Sequence, residues 1–271
     1  MLGGCSGRCP DWRGLTDMGY SFDWVDAFSD RPFAGNGCVV VHGAADISTA
    51  DRLSLVRETS LAECAFLVGS DAADFGARYS LTDKEILMAG HPTIATVASL
   101  IHRGLVDVAS GGAEFTLEVG AGVLPISVSG DGVITMTQMA PEFGPTFDPA
   151  RIAAIYGLEA DDIAGTPQVV STGTPYCITV LRSKDALRRA APDVAQLDRF
   201  RRDSGVAQAG LMESFLVTLG GETAEGDTFS LLFAAPPSLP EDPSTGSATG
   251  CMPASVLPRP DRGPASRRRP G

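Results

Sequence analysis

One local pattern occurs twice in the sequence and limits the folds that the chain can adopt. In each copy a predicted strand leads into a polar, glycine-containing loop, and this loop opens a helix of small residues. The first copy covers residues 90–93 and the second covers residues 241–250. We interpret the two copies as an internal repeat of pattern, with one copy in each half of the chain.

The two helix starts have the chemistry of an anion-binding site. The first N–H groups of a helix have no partner within the helix and carry a partial positive charge. If the two halves face each other, both helix starts point into one cleft, where a carboxylate or an enolate would be stabilised without a metal. Gly90 and Gly246 would let a ligand approach the backbone closely.

The remaining pattern predicts two α/β halves. In the first half we expect strands near 20–28, 38–41, 65–68, 113–119, 123–129 and 132–139, and helices near 48–58 and 94–101. A stretch rich in Pro and Phe at 141–149 predicts a linker. In the second half we expect helices near 149–156, 184–190 and 193–202, a strand entering a glycine turn over 169–175, and strands near 176–181, 213–219 and 227–234.

These patterns suggest a division into four parts. We expect a disordered N-terminal extension over 1–17, a first domain over 18–140, a truncated second domain over 141–257 and an aberrant Pro/Arg-rich tail over 258–271. The true start is left open between Met1 and Met18. Pro253 falls inside the expected second central helix, where proline costs about 3 kcal/mol. We therefore expect a marginal second half and weak activity; a basic tail that recruits an acidic partner is the alternative interpretation.

Composition excludes several classes of function. The net charge of −12 argues against nucleic acid or an anionic membrane as a partner. No segment is long and apolar enough to span a membrane, so the cytoplasm is the expected location. The six cysteines contain no C-x-x-C pair and the chain has three histidines, so we expect no metal site and mostly buried, reduced thiols.

Four polar residues stand out near the repeated pattern, and local sequence alone leaves the role of each open. Glu63 is either a solvated turn residue or a partly buried carboxylate suited to proton transfer. His91 is either structural or functional, Asp242 is either a turn residue before proline or part of a site, and Ser247 is either a helix N-cap or a ligand contact.

Taken together, these residues resemble the phenazine-biosynthesis (PhzF-like) isomerases, which share the diaminopimelate epimerase fold. The resemblance runs from about residue 20 to residue 250. Its motifs are Asp-Ala-Phe at 26–28, Pro-Phe-Ala-Gly-Asn at 32–36, Leu-Ala-Glu-Cys-Ala-Phe at 61–66, Gly-His-Pro-Thr at 90–93, Ser-Thr-Gly-Thr-Pro at 171–175 and Glu-Asp-Pro-Ser-Thr-Gly-Ser-Ala at 241–248.

The resemblance implies an α+β fold with two pseudo-symmetric halves, each a barrel-like, mostly antiparallel sheet around a central helix. It implies a homodimer, no cofactor, a small anionic substrate and a site between the halves. In that site Glu63, His91 and Asp242 would be catalytic, with Glu63 as the acid/base. Asn36, Gly90, Gly246 and Ser247 would bind the substrate. The implied reaction moves a proton and a double bond on a small carboxylate.

Departures from the family pattern bear on the alternatives. Epimerases of this fold have a cysteine in each helix-start loop, whereas this chain has His91 and Ser247. A thiol-dependent racemase would therefore have to use Cys64 or Cys251. The other alternative is a non-catalytic protein that binds a small molecule in the same cleft.

Overall fold

The computed structural model describes residues 19–203, 214–222, 224, 226–233, 241–242 and 245–256. The predictions for the N-terminal extension (1–17) and for the tail (258–271) lie outside these residues. The polypeptide forms two sheets, one in each half of the chain.

The first half contains eight strands and two α-helices in the described part. These are β1 (Phe22–Ala27), β2 (Asn36–Val41), α1 (Thr49–Thr59), β3 (Cys64–Val68), β4 (Phe75–Ser80), β5 (Glu85–Ile86), α2 (Gly90–His102), β6 (Gly112–Val119), β7 (Gly122–Ser129) and β8 (Ile134–Met136). The strand order is β1-β2-β3-β4-β6-β7-β8, with β5 paired to β4. The pairs β2/β3 and β4/β6 are parallel and the others are antiparallel.

Helix α2 lies in the centre of the first half. It contacts β1, β2 and β3 on one side and β8 on the other, so the sheet curls around it. The sequence of α2 is apolar almost all round, which suits a buried helix, and Val97 and Leu100 are buried in the main core. Pro92 occupies the first turn, where its missing N–H costs nothing. Helix α1 covers the opposite face of the sheet, with Val56 packed in a second core cluster.

The second half contains six strands and five α-helices in the described part. These are β9 (Glu142–Thr146), α3 (Pro149–Ile155), β10 (Gln168–Ser171), β11 (Pro175–Leu181), α4 (Lys184–Arg189), α5 (Val194–Asp203), β12 (Ser214–Leu219), β13 (Thr228–Phe233), β14 (Glu241–Asp242), α6 (Gly246–Cys251) and α7 (Pro253–Val256). The strand order is β14-β13-β12-β11-β10-β9, and only β11/β12 is parallel among these pairs.

The two halves repeat one connectivity, as the repeated sequence pattern predicts. In the first half the hairpin β1/β2 is followed by α1, by β3 parallel to β2, by β4 and β5, and by α2. In the second half the hairpin β10/β11 is followed by α4 and α5, by β12 parallel to β11, by β13 and β14, and by α6. In each half, therefore, a short strand is followed by the start of a helix: β5 by α2 in the first half and β14 by α6 in the second.

The structure corrects three details of the sequence-based assignment. The stretch at 141–149 is not a simple linker, because β9 pairs with β10 at the edge of the second sheet. Pro145 is tolerated there because an edge strand does not need every backbone N–H for its ladder. Strands β4 and β5 were not predicted, and β8 is shorter than the predicted 132–139.

Pro253 interrupts the helix of the second half, as expected. Helix α6 ends at Cys251, and α7 starts at Pro253, where proline fits the first helical position. Across the described residues, none of the helices combines the length and the apolar character needed to cross a membrane.

Candidate functional site

The two helix starts are in direct backbone contact. A Cβ atom built on Gly90 would lie 2.5 Å from the backbone nitrogen of Ser247 and 2.6 Å from Cα of Gly246. A Cβ built on Gly246 would lie 3.1 Å from Cα of Gly90. Only glycine at these positions permits so close an approach. The sequence analysis expected both helix starts to point into one cleft with the glycines facing a ligand; the structure places the two starts directly against each other at these two glycines.

The backbone N–H groups at both helix starts lack a side-chain cap among the described residues. The N-cap residues are Ala89 for α2 and Thr245 for α6, and neither side chain accepts a hydrogen bond from its helix. Ser247 lies inside α6 and not at its N-cap, so the capping interpretation of this residue is wrong. The partial positive charge of the longer helix, α2, is thus available to an anion at its start.

Glu63 and His91 lie side by side at the start of α2. Glu63 immediately precedes β3, and its side chain is 16% exposed. Its Oε2 lies 3.9 Å from Nδ1 of His91, which is the second residue of α2. The distance is too long for a hydrogen bond. The solvated-turn interpretation of Glu63 does not fit this burial, because most of the carboxylate is covered by protein.

His91 is neutral at physiological pH. The residue is 2% exposed, and burial lowers its pKa from 6.5 to about 3 because the charged imidazolium loses its hydration. The contact with Glu63 would be an ion pair only if the imidazole were protonated, so at neutral pH it is a contact between a carboxylate and a neutral ring. Nε2 of His91 has no hydrogen-bond partner among the described residues.

The buried neutral state of His91 predicts a specific pH dependence of stability. Below about pH 6.5 His91 takes up a proton in the unfolded chain but not in the folded chain. The folded state therefore has its full stability above pH 6.5 and becomes less stable, relative to the unfolded chain, as the pH falls. At about pH 5 the loss is about 2 kcal/mol. Urea unfolding of wild type and His91→Gln at pH 7.5 and 5 measures it. Equal losses in the two proteins would contradict the assignment.

Asn36 and Asp242 join the two halves beside the helix starts. Nδ2 of Asn36, at the start of β2, donates to Oδ1 of Asp242 on β14 at 2.7 Å. The hydroxyl of Thr245 donates to Oδ2 of the same carboxylate at 2.6 Å. Asp242 is therefore a strand residue that accepts on both oxygens, not an isolated turn residue. Its hydrogen bonds connect the end of β14 to the start of β2 and to the N-cap residue of α6.

The hydrogen bond between Asn36 and Asp242 should contribute measurably to the free energy of unfolding. We expect Asn36→Ala to reduce the free energy of unfolding by about 1–3 kcal/mol, because a hydrogen bond to a carboxylate is lost. Asn36→Asp should cost more, because it places two carboxylates together. Urea denaturation at pH 7 checks both variants, and an Asn36→Asp protein as stable as Asn36→Ala would contradict the geometry.

Two further residues hold α6 in place, and sequence reasoning did not single them out. The hydroxyl of Tyr176 lies 2.7 Å from Oγ of Ser247, and both side chains are buried. Nε2 of Gln138 donates to the backbone oxygen of Gly246 at 3.1 Å. Tyr176 directly follows the Ser-Thr-Gly-Thr-Pro motif, so the motif could have pointed to Tyr176 as a site residue. Gln138 lies between β8 and β9, outside every motif.

The thiols do not form a catalytic pair in this structure. Cys64 and Cys251 are both buried, and burial raises the pKa of each thiol. They lie in separate core clusters: Cys64 packs with Val56 of α1, whereas Cys251 is the last residue of α6 and packs in a cluster of the second half. A buried thiol with a raised pKa is a poor nucleophile or base. Among the described residues, no group of three or more His, Cys, Asp or Glu side chains is placed to hold a metal ion.

Two surface cavities lie to one side of the helix starts. Their volumes are about 580 and 710 Å³, and both are lined by β1, the loop after β1 and residues of α2. The larger cavity is also lined by residues 132–134. Neither is lined by Glu63, His91 or Asp242. The convergence of polar groups, and not the size of a cavity, marks the candidate site.

Comparisons with known proteins agree with this architecture. A family model described as phenazine biosynthesis-like protein matches residues 25–257. The uncharacterized isomerase YfhB of Bacillus subtilis is 30% identical over 238 residues, which cover 84% of this chain and 77% of that protein. The uncharacterized isomerase YddE of Escherichia coli K12 is 29% identical over 239 residues, covering 86% of this chain and 77% of that protein.

Comparison with solved structures also finds proteins of the same fold. A PhzF-family phenazine biosynthesis protein of Bacillus anthracis has a TM-score of 0.71 at 26% identity, covering 86% of this chain and 78% of that one. A hydroxyproline epimerase of Agrobacterium vitis with bound trans-4-hydroxy-L-proline has a TM-score of 0.55 at 13% identity, which shows a shared fold alone. The predicted α+β, epimerase-like fold is confirmed, and the chain belongs to the family of phenazine biosynthesis-like proteins, several relatives of which are named isomerases.

Proposed function

We propose that this protein is a cofactor-independent isomerase that moves a proton, and with it a double bond, on a small substrate bearing a carboxylate. The observation that carries the proposal is the position of Glu63, a mostly covered carboxylate that lies 3.9 Å from His91 at the start of α2. A base held beside an anion-stabilising helix start combines the two elements that proton abstraction next to a carboxylate requires.

The proposed reaction has two proton transfers. Glu63 accepts a proton from a substrate C–H, and the electrons of that bond form an enolate-type double bond. The N–H groups at the start of α2 stabilise the negative charge that develops on the oxygen. Glu63 then returns the proton at another carbon, so the product has the same atoms as the substrate.

The other candidate residues have supporting roles in this proposal. Neutral His91 can offer a ring N–H or a lone pair to the substrate, and it does not compete with Glu63 as a charged acid. Asp242, which accepts hydrogen bonds from Asn36 and Thr245, would help to orient the substrate. Gly90 and Gly246 would bring the backbone close to the carboxylate, and Ser247 would contact it.

The test is a search for an isomer of unchanged mass. A panel of cyclic and amino carboxylates is incubated with the full chain without added cofactor, and each mixture is analysed by proton NMR and mass spectrometry. The proposal expects at least one compound to yield a product with different NMR signals and the same mass. A compound that binds tightly and stays unchanged would favour the non-catalytic alternative.

We also propose that the protein acts as a homodimer in the cytoplasm. The support is the family resemblance in the motifs at 26–36, 61–66 and 241–248. Light scattering after gel filtration measures the mass directly. A monomer at micromolar concentration would contradict the dimer and leave the chemistry untouched.

A further inference from the structure

The ring of Phe28 lies against the junction of the two helix starts. A Cβ built on Gly246 would lie 2.7 Å from Cζ of Phe28. Phe28 belongs to the loop between β1 and β2, so a residue of the first half touches the first residue of α6. The ring nevertheless remains 48% exposed.

The backbone holds Phe28 in a strained conformation. Its φ of 61° lies in the left-handed region, which is a rare state for a bulky residue and costs about 1–3 kcal/mol. Glycine would adopt this conformation without strain. The fold therefore accepts the strain together with a large, half-exposed ring, which points to a role other than core packing.

The loop that carries Phe28 is fixed at several points. Oδ2 of Asp26 accepts a hydrogen bond from the backbone nitrogen of Phe33 at 2.6 Å. The loop ends at Asn36, which donates to Asp242 of the second half. Phe28 at one end and Asn36 at the other therefore both lie against the second half, so the backbone of the loop is held near Gly246.

Phe28 also borders a cavity. The cavity has a volume of about 710 Å³, and Phe28 lines it together with Ile94 and Ala98 of α2. Phe28 therefore both approaches Gly246 and lines this cavity. Removal of the ring would connect the cavity with the junction and enlarge the room beside the helix starts.

We propose that Phe28 determines specificity by limiting the size of the group that a carboxylate at the helix starts can carry. The inference rests on the proposed function, because it places the carboxylate at the start of α2. With the ring present, a compact carboxylate fits and a bulky one meets the ring. With the ring removed, the bulky group extends into the cavity.

The test compares two probes, acetate and cyclohexanecarboxylate, in wild type and three variants. Phe28→Ala removes the ring, and Phe28→Leu keeps part of its bulk. Phe33→Ala is the matched control, because Phe33 lies in the same loop with φ of 64° but is 98% exposed. Dissociation constants come from NMR titrations of the labelled full-length protein, with thermal melts to verify folding.

The measured quantity is the ratio of the dissociation constants for cyclohexanecarboxylate and acetate. Phe28→Ala should lower this ratio about tenfold or more, which is the discrimination that pocket shape typically supplies. Phe28→Leu should lie between, and Phe33→Ala should match wild type. An unchanged or raised ratio in Phe28→Ala would contradict the role of Phe28 but would leave the proposed function standing. If neither probe binds the wild-type helix starts, the carboxylate site itself, and the inference with it, is wrong.

Discussion

Glu63→Gln is expected to lower the turnover of an identified substrate about 10²–10⁴-fold, the contribution typical of one general base. The amide has almost the same shape as the carboxylate but cannot take up the proton. Binding should change little, because the proposal assigns the substrate carboxylate to the start of α2 and not to Glu63. The expected signature is therefore a large fall in kcat with a nearly constant KM.

The control for this prediction is Glu58→Gln. Glu58 lies on α1 and is exposed, so the change removes the same charge outside the site. It should leave kcat essentially unchanged, because an exposed substitution away from the site rarely disturbs the fold. Wild-type kcat in Glu63→Gln would refute the assignment of the base, and so would an equal fall in both variants.

Gly90→Ala is expected to have the largest effect on structure and activity together. The new methyl group would lie 2.5 Å from the backbone nitrogen of Ser247 and 2.6 Å from Cα of Gly246. Backbone atoms cannot rotate away, so the two helix starts must move apart. Overpacking of this kind costs about 1–3 kcal/mol or more, and a displacement of about 1 Å at a catalytic site can cost about 10²-fold in rate.

Two other glycines provide graded controls. Gly246→Ala should have a smaller effect on stability and kcat. Its methyl group would meet the end of the Phe28 ring, which can move, and would lie 3.1 Å from Cα of Gly90. Gly69→Ala should be nearly neutral, because no atom lies within 4 Å of the added Cβ. Thermal melts and kcat measure both effects. Equal stability of the Gly90 and Gly69 variants would contradict the contact between the helix starts.

The sequence predicts the fold well where its signals are local. The apolar stretch 94–101 and Pro92 identify α2, and Ser48, which accepts from the backbone nitrogen of Asp51, identifies the start of α1. Strand β4 escapes prediction because Gly76, Arg78 and Ser80 break the apolar run and only three alternating apolar or aromatic positions remain, although Tyr79 is fully buried. Burial of that kind depends on the tertiary structure, which a local window does not contain.

The site shows the same division between local and long-range information. The motifs identify Glu63, His91, Asp242 and Ser247 as candidates, and the structure brings Glu63 to His91 and Asn36 to Asp242. The sequence does not indicate that Tyr176 reaches Ser247 or that Phe28 covers Gly246. These contacts join positions 71 residues apart or more. The first depends on the tertiary structure of the second half, and the second depends on the packing of one half against the other.

The central claim, that this site transfers a proton to and from carbon, is tested most directly by solvent deuterium. Wild type and Glu63→Gln are incubated in deuterium oxide with a carboxylate that binds the protein, and the recovered compound is analysed by mass spectrometry and NMR. The account predicts that wild type introduces deuterium at carbon, and that Glu63→Gln does so at least about 10²-fold more slowly while it binds the compound equally well. Tight binding without any deuterium at carbon, or the same rate of incorporation in both proteins, would contradict it.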